Sequence, residues 1–349
     1  MTTISRSLNR TEENARKRAA WLALYGGVFV FAGKAVAYMA TDSTAILSDA
    51  LESIVNVVTA TFLVYSIRLA ATPADRNHPY GHGKVEFFAA GVEGTLIVVA
   101  GILILVAAMQ AFIRGSEVHS IDLGLQLLIA FTVINGIIGW RLVWVGKQLN
   151  SVALRADGLH LLTDVWTTVG VMLGLLGVRL TGYLWIDPLA ATIVALNILR
   201  MGWHLSREAV RGLMDEADDS LLDMIITRLE DSRLPSCIDL HSLRVWSSGA
   251  LHHVDFHLTV PRYHDAEQLH ELDETYTEAA FATGDANWDV IIHFDPCRPR
   301  HCSGCVLESC PVRSEPFAER ASFEALDPTR EDESLDEGIP LGIDTRINS

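Results

Sequence analysis

Two apolar stretches of this chain carry the same eight-residue polar pattern, and that duplication limits the folds open to it. The first copy is Asp49-Ala-Leu-Glu52-Ser-Ile-Val-Asn56 and the second is Asp157-Gly-Leu-His160-Leu-Leu-Thr-Asp164. Polar groups at i, i+3 and i+7 line up along one face of a helix. Ionisable residues inside an apolar span are expensive to keep there, so they read by default as part of a substrate or ion pathway. Glu52 and Asn56 from one helix, with His160 and Asp164 from another, would supply four N/O ligands, the number a tetrahedral divalent-metal site needs. A single polar residue would read as glue between packed helices. A duplicated set with metal-ligand chemistry favours the pathway.

Six apolar segments of about 20 residues or more are long enough to cross a bilayer. They run roughly over 19–40, 44–69, 87–113, 123–145, 159–180 and 183–203. The first eighteen residues are polar and end in Arg16-Lys17-Arg18, so no cleavable signal peptide is expected. Cations gather in alternate connections: Arg10, Arg16, Lys17 and Arg18; then Arg68, Arg76 and Lys84; then Lys147 and Arg155; then Arg200, Arg207 and Arg211. The positive-inside rule then predicts a multi-pass cell (inner) membrane protein with both termini cytoplasmic. Lys34, inside the first segment, reads as a snorkelling or pairing residue.

After Arg211 the pattern changes. Apolar positions 221, 222, 225, 226 and 229 predict an amphipathic helix over 220–231. Residues 240–246 and 252–260 alternate as strands, 265–281 is helical again, and 288–294 is a short apolar strand. That order, α-β-β-α-β, predicts a small α+β domain with its helices on one face of the sheet. The expected organisation is an N-terminal arm (1–18), a six-helix transmembrane domain (19–208), the α+β domain (209–296), a cysteine cluster (297–310) and a disordered acidic tail (311–349). The net charge of −16 comes largely from the second half and gives no argument for a nucleic-acid partner, so none is expected.

Taken in order, these motifs resemble the cation diffusion facilitator family. The segments Ser43–Asn56 and Ala156–Asp164 look like its second- and fifth-helix signatures. Pro73-Ala-Asp75-Arg-Asn-His78-Pro-Tyr-Gly-His82-Gly-Lys84-Val-Glu86 is similar to its loop between helices two and three. Leu213-Met-Asp215-Glu-Ala and Val290-Ile-Ile-His293-Phe-Asp295-Pro resemble the start and the last strand of its cytoplasmic domain. The resemblance covers roughly 19–296. It implies a homodimeric divalent-cation/proton antiporter, binding metal ions and protons in a lipid bilayer, with a ferredoxin-like cytoplasmic domain. By position it puts the transport site on Glu52, Asn56, His160 and Asp164, with Asp49 and Asp157 as accessory acids. A loop site falls on Asp75, His78 and His82. A cytoplasmic-domain site falls on His241, His257, His293 and Asp295, with His270 as a further ligand. Lys84 and Asp215 match a charge pair that locks the protomers near the membrane surface.

One position departs from the family pattern. The second helix usually ends its pair in Asp, and here it offers Glu52 and Asn56. Fewer imidazoles and more oxygens shift preference from strict Zn(II) toward harder ions such as Mn(II) or Fe(II), with Co(II) and Cd(II) as rivals. Outside the resemblance, four of the five cysteines form Cys297-x4-Cys302-x2-Cys305-x4-Cys310. A Cys₄ zinc site is the first reading, with His301 as a substitute ligand, and an iron–sulfur cluster is the second. Clustering of this kind suggests a metal site more than a disulfide framework, while Cys237 stands alone as a small apolar residue. An enzyme is disfavoured, because no nucleophile–base set or H-E-x-x-H pair is present. A membrane-anchored metal sensor without transport is the alternative, although it leaves the ionisable residues at mid-membrane depth unexplained.

Overall fold

A computed structural model describes residues 10–41, 44–114, 123–183, 185–281 and 287–330. It divides into two compact units. The first holds six helices: α1 (Arg10–Thr41), α2 (Thr44–Ala70), α3 (Val85–Arg114), α4 (Leu123–Gln148), α5 (Val152–Thr181) and α6 (Ile186–Leu213). All six are long and apolar enough to cross a membrane. Helix α3 packs along α6, α4 along α5, and α1 along α2. Close approach of α4 and α5 depends on two glycines. A Cβ on Gly139 would lie 2.9 Å from the Gly158 carbonyl oxygen, and one on Gly158 would lie 2.8 Å from that of Gly139. Without side chains there the backbones meet directly, which is how apolar helices associate where water supplies no driving force.

The polar arm expected over 1–18 is not a separate element in its described part. Residues 10–18 are the first turns of α1, with Glu12 and Glu13 placed where the helix dipole favours acids. Arg16 is buried and reaches Glu86 Oε1 on α3 at 2.8 Å, and it also donates to the Leu149 carbonyl. Ser151, the N-cap of α5, donates its hydroxyl to the other oxygen of Glu86. One buried carboxylate thus ties α1, α3 and the α4–α5 corner together. Helix α5 starts seven residues earlier than its apolar run and ends at Gly182, whose left-handed φ of 76° lets its N–H cap the Val178 carbonyl. The boundary expected at 208/209 falls inside α6, which continues to Leu213. Arg207 and Arg211 on its last turns pair with Glu216 beyond it.

The second unit comprises α7 (Asp219–Asp231), β1 (Asp239–Ser248), β2 (Leu251–Val260), α8 (Ala266–Phe281) and β3 (Asn287–Pro296), in sheet order β1-β2-β3. Asp218 caps α7 by accepting from the N–H groups of Ser220 and Leu221. A two-residue connection makes β1 and β2 antiparallel neighbours. The facing pairs His253–Asp289, His257–Asp295 and Val260–Cys297 rise together along both chains, so β2 and β3 run parallel across the α8 crossover. Val254, Phe256, Leu258, Trp288 and Val290 pack against Ile225, Leu229, Leu272 and Tyr276 of the two helices. The alternate residues of β2 and β3 face the other side, away from α7 and α8.

Part of the stretch expected as a disordered tail belongs to this unit. Residues 311–330 run back over it, with Phe323 fully buried in the core and its ring 3.9 Å beneath the Arg233 guanidinium. The carbonyls of Pro328 and Arg330 accept from Leu243 and Ser242 of β1, and Arg330 makes a two-pronged pair with Asp239. The segment thereby occupies N–H groups that an edge strand would leave open. Its acidic, proline-rich composition hides two anchors, Phe323 and Leu326, and those decide its placement.

Candidate metal centres

Between α2, α3 and α5 three of the expected transport residues, Asn56, His160 and Asp164, meet. The Asn56 amide donates to Asp164 Oδ2 at 2.9 Å, and its oxygen lies 3.0 Å from His160 Nε2. Asn56 and His160 are buried at 6% and 8% exposure, and Asp157, one turn before His160, at 3%. On α5 the i, i+3, i+7 spacing does what helix geometry requires: it sets Asp157, His160 and Asp164 on one face. The side chains of Asp49 and Glu52 lie outside the described residues.

Sequence reasoning missed Glu93. It sits on α3, the most apolar of the six helices, at 4% exposure, with Oε2 3.6 Å from His160 Nδ1 and a hydrogen bond to Thr59 of α2. The signal was available, since a carboxylate alone in an apolar span is costly. It belonged to no repeated pattern, and only the packing of α3 against α5 brings it to the histidine. Lys34 is buried and donates to Ser53 Oγ of α2 at 2.9 Å, so it pairs inside the bundle rather than snorkelling.

The loop between α2 and α3 gathers Asp75, His78 and His82, whose donor atoms lie within 4.8 Å of one another. Asp75 Oδ1 accepts from the N–H groups of Asn77 and His78 at 2.8 and 2.7 Å, and these hold its carboxyl below the usual range, that of His78 most. His82 Nε2 stands 3.5 Å from Asp75 Oδ2, and the two imidazoles are 4.4 Å apart. The set is largely exposed.

A second gathering lies on the face of the sheet away from α7 and α8, one residue from each strand. Asp295 Oδ2 of β3 is 2.9 Å from His257 Nδ1 of β2 and 3.3 Å from His241 Nε2 of β1. These three also have donor atoms within 4.8 Å of one another. His293 borders them, its ring 4.4 Å from that of His257 and its Nε2 3.5 Å from Asp295 Oδ1. His270 does not join the set. It projects from α8, on the other side of the sheet, and pairs with Glu274. Lys84 and Asp215 pair with each other within one chain at 2.7 Å, both partly exposed.

Two family descriptions match this chain: the cation efflux transmembrane domain over residues 20–214, and the cation efflux protein cytoplasmic domain over 217–297. Among curated proteins, the uncharacterized transporter sll1263 of Synechocystis sp. is 40% identical, over 74% of this chain and 84% of its own length. Metal tolerance protein 2 of Oryza sativa subsp. japonica is 29% identical, over 82% and 79% respectively. The cation-efflux pump FieF of Salmonella arizonae is 27% identical, over 83% and 96%. Six apolar helices holding buried polar groups, followed by an α-β-β-α-β unit, thus coincide with both matched domains, and this chain belongs to the cation efflux family of membrane transporters.

Proposed function

We propose that this transporter is a divalent-cation/proton antiporter that exports metal from the cytoplasm, with Glu52, Asn56, His160 and Asp164 as its transport ligands and Asp49 and Asp157 as accessory acids. The Asn56 amide bridging Asp164 and His160 across α2 and α5 carries this reading, because it draws N and O donors together inside apolar spans. An imidazole binds metal only when neutral, so proton and metal compete for His160 near physiological pH. Protonation from the outer side, with Asp164 or Asp49 sharing the proton, expels the ion, and deprotonation on the inner side allows reloading. Both termini face the cytoplasm, as the basic connections favour. The chain works as a homodimer whose cytoplasmic domains bind metal at His241, His257, His293 and Asp295. Asp75, His78 and His82 form a weaker, exposed site.

The test is metal-stimulated proton flux in proteoliposomes across Zn(II), Fe(II), Mn(II), Co(II) and Cd(II). Flux is expected to follow an imposed pH gradient, and indifference to that gradient would rule out the coupling. The neutral Asn56 oxygen favours Fe(II) or Mn(II). Asn56→Asp is expected to move the preference toward Zn(II); an unchanged order of ions would remove Asn56 from the selecting ligands. The gathered His241/His257/Asp295 set keeps a sensor as the second reading. Absence of flux with every ion would favour it.

A further inference from the structure

We propose that Cys297, Cys302, Cys305 and Cys310 hold an iron–sulfur cluster on the cytoplasmic unit. The inference is independent of the transport site and stands on the chain that follows β3. All four cysteines line one cavity of about 120 Å³. Three arginines, Arg262, Arg298 and Arg313, line it too, and among the described residues no Asp or Glu does. In a chain of net charge −16 that is an unusual concentration of cations. It suits a load of negative charge, and four thiolates around a metal centre are such a load.

The turn that carries the thiols is built rather than loose. The Cys297 N–H continues the sheet by donating to the Val260 carbonyl at 2.8 Å. A 3₁₀ turn over Pro299–Gly304 follows, in which His301 Nδ1 accepts from the Arg298 N–H at 3.1 Å. His301 therefore has a structural task, and the four cysteines suffice as ligands. Arg313 donates to the carbonyls of Cys302, Cys305 and Leu307 at 2.7–3.0 Å and so fixes the loop around the cavity. Ser314 Oγ lies 3.4 Å from Cys302 Sγ and ties that side chain to the returning segment. Burial pushes the distant Cys237 thiol up to about 11, where it is inert.

The spacing of the thiols favours a cluster over a single zinc ion. Zn–S bonds of about 2.3 Å in a tetrahedron bring the sulfurs to roughly 3.8 Å from one another. The His241/His257/Asp295 donors do converge within 4.8 Å, but no three of these thiols do so among the described residues. The cavity is also several times the ~10–15 Å³ that one water needs. A polynuclear cluster, with each thiolate on a different part of its edge, uses that wider spacing. The run C-x4-C-x2-C and the proline directly after Cys310 both occur in cluster-binding sequences. Asp295 lies two residues before Cys297, so the cluster would share a strand end with the histidine–aspartate set.

The experiment is anaerobic purification of the full chain, followed by reconstitution with ferric iron and sulfide in the presence of a thiol. Expected are a broad visible absorption that bleaches on reduction, and iron and acid-labile sulfide in equal amounts. Cys302→Ser and Cys305→Ser should each lose most of both, while Cys237→Ala keeps them. Unchanged helical content by circular dichroism guards against simple unfolding of the serine variants. A colourless wild type that holds zinc on the thiols, or that takes up no iron and sulfide after reconstitution, would overturn the proposal. Cluster content unaltered in both serine variants would do the same.

Discussion

Asp164→Ala is expected to abolish metal flux while leaving metal binding by the cytoplasmic unit intact. The carboxylate accepts from Asn56 at 2.9 Å and thereby sets the orientation of the amide that also meets His160. Its removal takes away one proposed carboxylate ligand and the bond that aims the neutral Asn56 amide. On α5 only His160 and the accessory Asp157 remain to hold a divalent ion, so uptake into proteoliposomes should fall to background. Glu93→Gln tests the acid that only packing revealed. Glu93 lies beside His160 Nδ1, on the side of the ring away from Asn56, where an outer carboxylate orients a ligating imidazole. Loss of such a group costs about 10–100-fold in metal affinity, so KM for the ion should rise by that order with the fold unchanged. Full transport by Asp164→Ala would place the pathway elsewhere. An unaltered KM in Glu93→Gln would reduce Glu93 to a packing acid bonded to Thr59.

Phe323→Ala is expected to destabilise the cytoplasmic unit by about 3–5 kcal/mol, the usual cost of removing a fully buried Phe. Its ring is enclosed by the domain core and covered by Arg233, which also donates to the Ala321 carbonyl at 2.7 Å. Its N–H is bonded to Glu230 Oε2 at 2.8 Å. The returning segment therefore has no easy way to collapse into the space left behind. For a unit of this size the thermal midpoint should drop by more than ~10 °C. A midpoint within a degree or two of wild type would mean that 311–330 detaches at little cost.

The two regions behave differently as reading problems. In the six-helix unit each span advertises itself through length and hydropathy, and the shared face of Asp157, His160 and Asp164 follows from one repeated spacing. In the stretch after Cys310, composition misleads. Glu, Asp, Ser and Pro set the average, while two apolar residues three positions apart set the structure. His270 shows the same limit from another side. It matches a ligand position by resemblance, but its helix covers the face of the sheet opposite His241 and His257.

From its residues alone this chain determined six membrane helices, the order α-β-β-α-β, and the polar faces of α2 and α5. Those features arise from local periodicity and from the cost of exposing backbone and charge to an apolar medium, and both can be read one segment at a time. Tertiary structure decided what depends on contacts between distant segments. It brought Glu93 to His160, buried Arg16 against Glu86, set Phe323 into the core, and gathered four thiols with three arginines around one cavity. No local pattern encodes such meetings, because each needs two elements whose separation in sequence says nothing about their separation in space.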